Sequence, residues 1–403
     1  MSMNETPVAE RVRISFFGCR NAGKSSLVNA VTGQTVSVVS DVKGTTKDPV
    51  TKTMELLPLG PVVITDTPGF DDAGSLGSLR VERTRQILRK TDLAVLVVDS
   101  TAGLQAADRE LLDLFAERQI PVIIAMNKQD LARVSIADER AVPTNTVTGE
   151  GIHMLKERMA RLLPERDTQK HLVADLVRRN DCVILVCPID ESAPKGRLIL
   201  PQQHVIRDLL EAGALPLVTR ETELAKALDA LTAPPRLVIT DSQAFKTVAA
   251  IVPEDIPLTS FSILMARYRG FLKTAVRGIA ALSRLQDGNR VLMAEGCTHH
   301  RQCNDIGTVK IPRWLREHTG KNIEIDTCSG PDFPPDLHPY DAVIHCGGCM
   351  ISETEVQARR KMAEVQGVPF TNYGLTIAQI TGVLERSLRL FPDIHALLGE
   401  VHE

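Results

Sequence analysis

The chain has 403 residues, with 47 lysines and arginines against 50 aspartates and glutamates, so its formal net charge is -3 at pH 7. At about 100–200 residues per domain, this length excludes a small disulfide-stapled peptide and predicts two to four domains. The near-neutral balance gives no reason to expect sequence-independent binding to nucleic acid or anionic lipid. No apolar stretch approaches the ~20 residues of a membrane helix, and residues 1–11 lack a secretion signal, so we expect a cytoplasmic protein.

Short apolar runs alternate with amphipathic stretches over the first part of the chain. Four of these runs are predicted to be buried parallel strands, at residues 12–17, 62–65, 93–99 and 121–126. The segments between them have helical periodicity. We therefore predict an α/β fold: an N-terminal doubly wound, mostly parallel sheet, followed by two smaller α/β domains.

A polar segment at residues 164–170 lacks apolar periodicity and marks the first domain boundary. Beyond it, strands are predicted at residues 182–187, 215–218, 237–240, 290–295, 322–326 and 342–345, and helices at 202–212 and 272–285. The predicted domains are residues 1–165, 172–266 and 267–403.

A phosphate-loop motif follows the first predicted strand. The segment Gly18-Cys19-Arg20-Asn21-Ala22-Gly23-Lys24-Ser25 matches G-x-x-x-x-G-K-[ST] and precedes a predicted helix. Its glycines let backbone N–H groups surround phosphates, Lys24 neutralises the β and γ oxygens, and Ser25 ligates Mg²⁺. The predicted nucleotide contacts in this region are Gly18, Asn21, Ala22, Gly23, Lys24, Ser25 and Ser26.

Two further motifs follow later strands. In Asp66-Thr67-Pro68-Gly69, Asp66 is expected to hold Mg²⁺ through water, and the N–H of Gly69 to reach a γ-phosphate. In Asn127-Lys128-Gln129-Asp130, the Asp130 carboxylate can accept from two N–H donors of guanine, a pair that adenine lacks. Together with the phosphate loop, Asn127, Lys128 and Asp130 predict a site for GTP.

These motifs resemble those of the TrmE-Era-EngA group of small GTPases. The segment Gly44-Thr45-Thr46-Lys47-Asp48 is similar to the group's Gly-Thr-Thr-Arg-Asp switch, which implies that Thr45 or Thr46 closes on Mg²⁺ and the γ-phosphate. Asn21 matches the residue that helps coordinate K⁺ in K⁺-activated members, and Phe70 replaces the water-orienting Gln of Ras-like proteins. The resemblance implies slow, K⁺-stimulated GTP hydrolysis with catalytic roles for Lys24, Thr45, Thr46 and Gly69.

One segment departs from the pattern of that group. The Ser-Ala sequence with which the group contacts the base falls on Asn145 and Thr146 in this chain. The substitution leaves the guanine contacts of that loop open, so Asn127 and Asp130 are expected to carry most of the base specificity.

Cysteines concentrate in the last third of the chain, within Cys297-Thr298-His299-His300 and His345-Cys346-Gly347-Gly348-Cys349. The paired glycines permit a tight loop in which both thiolates face one metal centre. The spacing leaves three interpretations open. They are structural zinc on Cys297, His299, Cys346 and Cys349, a redox dithiol of Cys346 and Cys349, and an iron–sulfur cluster on three thiolates.

The whole chain resembles the HydF family of FeFe-hydrogenase maturation GTPases. A GTPase domain precedes Cys-x-His and His-Cys-x-x-Cys, and the segments 193–197, 267–270 and 305–307 also fit. The resemblance implies a 4Fe-4S cluster on Cys297, Cys346 and Cys349, with His299, His345 or Asp305 at an exchangeable fourth iron.

The same resemblance implies what the protein does. It would be a homodimer, joined through its middle domain, that accepts a di-iron precursor made by the radical enzymes HydE and HydG. It would deliver that precursor to the FeFe-hydrogenase apoprotein, without nucleic-acid or membrane partners. The alternative is a zinc-bearing regulatory GTPase that acts on the ribosome or tRNA.

Overall fold

The computed structural model of the chain describes residues 8–33, 50–69, 84, 86–133, 136–163, 170–189, 198–296, 305–330 and 332–402. The chain forms two compact units, Met1–Asp167 and Thr168–Glu403. Among the described residues, no helix is long and apolar enough to cross a membrane.

The first unit is built on a six-stranded sheet. Its strands are β1 (Val12–Phe17), β2 (Val50–Leu56), β3 (Gly60–Asp66), β4 (Leu93–Asp99), β5 (Val122–Asn127) and β6 (Ala141–Pro143). Its helices are α1 (Lys24–Thr32), α2 (Ala106–Glu117) and α3 (Ile152–Leu162). The strand order is β2-β3-β1-β4-β5-β6, and every neighbouring pair is parallel except β2 and β3. The predicted doubly wound, mostly parallel sheet is confirmed.

Hydrophobic clusters cover both faces of this sheet. Along β1 the side chain of Phe16 packs into one cluster and that of Phe17 into the other, as the alternation of a strand requires. A strand buried on both faces has a near-continuous apolar sequence, which is why β4 was predicted with the observed bounds. Strand β2 escaped prediction because five of its seven residues are exposed.

The second unit contains two four-stranded parallel sheets. One has the order β10-β9-β7-β8, with β7 (Cys182–Val186), β8 (Leu215–Thr219), β9 (Leu237–Thr240) and β10 (Leu258–Ser260). The other has the order β12-β11-β13-β14, with β11 (Arg290–Glu295), β12 (Glu324–Ser329), β13 (Ala342–His345) and β14 (Phe370–Asn372). All six neighbouring pairs are parallel, which confirms that further α/β sheets follow the first domain.

Helices pack on these two sheets around one continuous hydrophobic core. They are α4 (Leu200–Glu211), α5 (Leu224–Asp229), α6 (Phe245–Ile251), α7 (Phe261–Tyr268), α8 (Leu272–Ser283), α9 (Ile311–Thr319), α10 (Glu353–Val365), α11 (Tyr373–Ile380), α12 (Leu384–Leu388), α13 (Pro392–His395) and α14 (Leu397–His402). The predicted boundary at residues 266 and 267 falls inside α7, and the domain limits stay predictions.

Candidate functional site

The phosphate loop connects β1 to α1, as the motif predicts. Helix α1 begins at Lys24, and its N-cap, Gly23, is left-handed with φ of 90°. Among the described residues, no side chain caps this helix end. The N–H groups of its first turn and the positive end of the helix dipole therefore favour an anion.

Both glycines of the motif stand where a side chain cannot fit. A Cβ on Gly18, whose φ is +137°, would lie 2.2 Å from the carbonyl oxygen of Val97. A Cβ on Gly23 would lie 2.2 Å from Nδ2 of Asn127. Only glycine therefore fits at these two positions of the loop, and the loop lies directly against the segment predicted to bind the base.

Lys24 is folded back onto the loop. Its Nζ donates to the carbonyl oxygens of Gly18 at 3.0 Å and Cys19 at 2.7 Å, and the side chain is buried. These contacts hold the ammonium group within the phosphate loop itself.

The two residues predicted to hold Mg²⁺ lie side by side. Ser25 Oγ donates to Asp66 Oδ2 at 2.6 Å, and Asp66 is completely buried at the end of β3. Its other oxygen, Oδ1, has no hydrogen-bond partner among the described residues. A buried carboxylate oxygen without a partner is costly, and oxygen atoms are the ligands that Mg²⁺ prefers, so this pair fits the ion.

Gly69 brings the end of its motif against the phosphate loop. A Cβ at this position would lie 3.0 Å from both the nitrogen and the Cα of Arg20. Two residues earlier, Thr67 Oγ1 donates to the carbonyl of Phe16 at 2.7 Å, which fixes the motif to β1. The predicted switch residues Thr45, Thr46 and Phe70 lie outside the described residues.

The base-binding motif follows β5. Asn127 Nδ2 donates to the carbonyl of Ala22 at 3.1 Å, while its buried Oδ1 has no partner among the residues that the structure describes. Lys128 Nζ lies 2.6 Å from Asp99 Oδ2. Burial raises the pKa of Asp99, but hydrogen bonds from Lys128 and Thr101 outweigh it and leave that pKa below its usual value.

Asp130 and Asn21 are both exposed, and Ser26 is partly buried on α1. Exposure leaves the Asp130 carboxylate accessible, and its role in guanine recognition stays a prediction. Asn21 adopts a left-handed conformation with φ of 63°, which an asparagine tolerates better than most residues.

The structure resolves what Asn145 does in place of the group's serine. Its buried side-chain Oδ1 accepts from the N–H of Val147 at 2.9 Å and of Thr148 at 3.2 Å. This Asx-type turn closes the loop that follows β6. The loop is thus closed by a short side-chain acceptor, a property that asparagine shares with serine.

A contact between Gln129 and Ser100 was not predicted from the sequence. The side-chain Nε2 of Gln129 donates to Ser100 Oγ at 2.8 Å, which ties the base-binding motif to the end of β4. Only the parallel pairing of β4 with β5 brings these residues together, so no local sequence signal could have shown it.

In the second unit, the predicted cysteine motifs follow two neighbouring parallel strands. Cys346 comes directly after β13, and Cys297 two residues after β11. The sulfur of Cys346 accepts from the N–H of Gly296 at 3.1 Å and of Gly348 at 3.4 Å. Burial raises the pKa of the Cys346 thiol, and both amide hydrogen bonds oppose that rise.

Amides directed at a half-buried sulfur stabilise a thiolate, so Cys346 fits the ligand of a metal or cluster. Cys349 is also half-buried. Cys297, His299, His300 and Cys303 lie outside the described residues. Within the described part of the chain, no group of three or more His, Cys, Asp or Glu side chains could hold a metal ion.

His345 is directed into the protein. Its Nδ1 lies 2.7 Å from the carbonyl oxygen of Cys346, and its Nε2 lies 3.3 Å from Nη1 of Arg359. Complete burial, followed by the charge of Arg359, lowers the pKa of His345 to about 3. The ring is therefore neutral, and the Nε2 lone pair that an iron would need accepts a hydrogen bond instead.

The other predicted residues of this region are buried. Asp305 Oδ2 accepts from the N–H groups of Gly307 at 3.0 Å and Thr308 at 2.9 Å, and so caps a helical turn. Cys328 is buried on β12, and burial raises its pKa to about 11.

Comparison with protein families gives three matches in chain order. Residues 13–128 match a model described as a 50S ribosome-binding GTPase, residues 172–270 the hydrogen maturase F dimerization domain, and residues 273–390 the hydrogen maturase F tetramerization domain. The last of these covers much of the region predicted to be the cluster domain. A dimerization and a tetramerization domain support the formation of oligomers.

Curated relatives match mainly through the GTPase region. The tRNA modification GTPase MnmE of Koribacter versatilis is 32% identical over 51% of this chain and 46% of its own length. The GTPase Der of Maridesulfovibrio salexigens is 39% identical over 32% of this chain and 30% of its own length. The chain therefore spans less than half the length of these relatives.

Among solved structures, the cytosolic domain of the T. maritima FeoB iron transporter in its GMPPNP form is 26% identical. It covers 41% of this chain and 74% of that chain, with a TM-score of 0.30.

The family assignment rests on the order of the three domain models along the chain. A GTPase model precedes both domains that are named for hydrogen maturase F. The phosphate loop, the Ser25–Asp66 pair and the base-binding motif lie within the first match. The chain belongs to the HydF family of hydrogenase-maturation GTPases.

Proposed function

We propose that the first unit hydrolyses GTP to GDP and phosphate, with Mg²⁺ held by Ser25 and Asp66. The observation that supports this most directly is the 2.6 Å contact between these side chains, beside a buried carboxylate oxygen that has no hydrogen-bond partner among the described residues. When bound, Mg²⁺ neutralises charge on the phosphoryl group that is transferred.

The chain's own groups then have distinct roles. The N–H groups at the start of α1 bind phosphate oxygens, and Lys24 moves its ammonium group from the carbonyls of Gly18 and Cys19 to the β and γ oxygens. The N–H of Gly69 and the hydroxyl of Thr45 or Thr46 contact the γ-phosphate. Because Phe70 cannot orient water through a hydrogen bond, the intrinsic rate is slow. We further propose that Asn21 makes this rate sensitive to K⁺.

Guanine specificity is assigned to Asn127, Lys128 and Asp130. The variant Asp130→Asn replaces one of the two acceptor oxygens by an NH₂ donor, so it should lose one guanine contact, set a donor against a donor, and weaken GTP binding at least tenfold. Xanthosine triphosphate, which has a carbonyl at the position of the guanine amine, should regain affinity. The matched control is Asp138→Asn, a partly buried aspartate outside the motif that pairs with Arg140. Equal effects of the two variants would contradict the assignment.

In the second unit, we propose that Cys297, Cys346 and Cys349 bind a 4Fe-4S cluster. The two amide hydrogen bonds to Cys346 Sγ, at the shared edge of β11 and β13, support this ligand. His299 or Asp305 is proposed as the ligand of the fourth iron. His345 is not proposed as this ligand because its Nε2 accepts a hydrogen bond from Arg359. The cluster supplies an open iron site for exchangeable cargo.

The wider role proposed is that of a cytoplasmic scaffold and carrier, assembled as a homodimer. It would accept a di-iron precursor from HydE and HydG and deliver it to the FeFe-hydrogenase apoprotein. GTP hydrolysis would time this transfer. Family membership and the two oligomerisation domains support this role.

Anaerobic iron and sulfide analysis, with EPR of the reduced protein, tests the proposal. Wild type should contain about four irons per chain, as a 4Fe-4S cluster requires. Cys297→Ala, Cys346→Ala and Cys349→Ala should each lose iron and the signal. Cys328→Ala, which removes a buried thiol on β12, should keep both. One zinc and no iron after reconstitution would overturn the cluster and favour a zinc-bearing regulatory GTPase.

A further inference from the structure

A single arginine lies beneath the edge that carries the cysteines. Arg359, on α10, is completely buried. Its Nη1 donates to the carbonyl oxygen of Glu295 at 3.3 Å and contacts His345 Nε2 at 3.3 Å, and its Nη2 donates to the carbonyl of Gly330. Glu295 is the last residue of β11, His345 is the last residue of β13, and Gly330 directly follows β12. One guanidinium therefore joins the carboxyl ends of three adjacent strands.

Two of the joined residues lie within two chain positions of proposed ligands. Glu295 precedes Gly296 and Cys297, and His345 precedes Cys346. The N–H of Gly296 also donates to Cys346 Sγ, so the ends of β11 and β13 are already coupled through the sulfur. The guanidinium therefore holds the ends of β11 and β13 together, and Cys346 directly follows the end of β13.

The contacts require the planar fork of arginine. Its donors diverge in one plane, whereas lysine presents a single compact ammonium group that cannot reach acceptors on three strands. The guanidinium also lies over the ring of Phe333, with 5.0 Å between Cζ and the ring centroid. The Arg359 side chain is thus held by the strand ends and by the face of the Phe333 ring.

The counter-ion of the guanidinium is Glu355, which contacts both Nε and Nη2 of Arg359. Glu355 Oε1 accepts from Nε of Arg359 at 3.0 Å, and Glu355 is also buried. Burying such a pair costs desolvation energy, and apolar residues of similar volume are often at least as stabilising. Stability alone is therefore a weak explanation for a charged pair whose cationic end points at the cysteine edge.

We propose that Arg359 is a positioning residue for the cluster. It fixes the strand ends that position Cys346, and its charge stabilises the reduced cluster, which carries one more electron. The inference rests on the proposed function, because it requires a cluster at these cysteines.

The test is a redox titration of the reconstituted full-length protein with dithionite as the reductant, followed by EPR. Arg359→Gln removes the cation and should lower the midpoint potential; a tenfold change in the reduction equilibrium corresponds to 59 mV for one electron. Glu355→Gln is nearly isosteric, removes the counter-charge and should raise the potential. Arg359→Lys keeps the charge but loses the fork, so it should bind less iron and give a broadened EPR signal.

Arg360→Gln is the matched control. Arg360 is the next residue on α10, is partly exposed and pairs with Glu364 at 2.7 Å. Its loss should leave iron content, potential and EPR signal unchanged. Opposite shifts from Arg359→Gln and Glu355→Gln would support the inference, since a merely structural role predicts the same direction for both.

Each other outcome is decisive. If the Arg359 variants do not fold, as judged by thermal melting of the apoprotein, Glu355→Gln still tests the charge. An unchanged potential in Glu355→Gln, or shifts in one common direction, would overturn the role of Arg359 while the cluster proposal stands. A wild-type protein that binds no iron would overturn both.

Discussion

Replacing Gly23 with alanine tests whether the phosphate loop and the base-binding motif act as one structure. Gly23 has φ of +90°, and a Cβ built on it lies 2.2 Å from Nδ2 of Asn127 and 3.5 Å from its Cγ. The Asn127 side chain must therefore move, and its 3.1 Å hydrogen bond to the carbonyl of Ala22 is lost.

Two costs add in this variant. A residue with a Cβ in the left-handed region costs about 1–2 kcal/mol. Leaving a buried amide and its acceptor unpaired costs about 1–3 kcal/mol. We expect the free energy of unfolding of the first unit to fall by about 2–5 kcal/mol. Binding of GDP should weaken at least tenfold, which corresponds to about 1.4 kcal/mol, because Asn127 is displaced from the base.

The other end of α1 offers the control. Gly33 is also left-handed, with φ of +65°, but among the described residues nothing lies within 4 Å of a Cβ built there. Gly33→Ala should show only the conformational cost of about 1–2 kcal/mol, with unchanged affinity. Urea denaturation and titration with fluorescent GDP measure both quantities. Equal losses in the two variants, or wild-type affinity in Gly23→Ala, would refute the coupling.

Three further predictions concern other parts of the chain. Burial, followed by the charge of Asp241, raises the pKa of Cys187 to about 12, above its value of 9.0 in the unfolded chain. The neutral Cys187 thiol therefore contributes stability that is lost as the pH rises above about 9. The stability advantage of wild type over Cys187→Ala in urea denaturation should shrink by about 1.4 kcal/mol between about pH 8 and pH 10; a constant difference would contradict this. Arg386 is buried, and its Nη2 donates to the carbonyls of Val252 at 2.9 Å and Ile256 at 3.4 Å, so Arg386→Met should lower the free energy of unfolding by about 2–4 kcal/mol. Exposed Arg389→Met should change it by no more than about 0.5 kcal/mol, and similar losses in both would argue against the buried contacts. Asn145→Ala removes the acceptor of two loop amides and should weaken GDP binding severalfold in the same titration, whereas Asn145→Ser should retain it; equal binding by both would contradict the role of this turn.

The sequence predicted best those strands that are buried on both faces. Strands β4 and β11 have the predicted bounds, because their apolar runs are continuous and end in charged residues. Strands β10 and β14 were missed because each has three residues, too few to show any periodicity. The strand predicted at 322–326 lies at Glu324–Ser329 instead. Its C-terminal end was missed because Thr327 and Ser329 are polar and break the apolar pattern.

Functional residues that act within a short segment were predicted from sequence motifs. The phosphate loop is recognisable because its glycines and Lys24 act within eight residues. Arg359 shows the opposite case. On the sequence of α10, Glu355–Arg359 and Arg360–Glu364 are equivalent pairs four residues apart, each typical of an exposed helix face. The side chain of Arg359 is 0% exposed and that of Arg360 is 23% exposed, and only packing against three strand ends distinguishes them.

The proposed ligands of both units occupy the same place in their sheets. The phosphate loop follows β1 and Asp66 ends β3, while Cys346 follows β13, so each site lies at the carboxyl ends of parallel strands, where such sheets bind ligands. The sheet of β7–β10 has the same parallel architecture, yet its sequence contains neither a phosphate loop nor a cysteine pair after any strand. Its ends carry ordinary helix caps instead, such as Ser260 Oγ, which accepts from the N–H of Ile263 at 3.3 Å. Architecture alone supplies no chemistry, and it is the match of residues 172–270 to a dimerization domain that distinguishes this sheet from the other two.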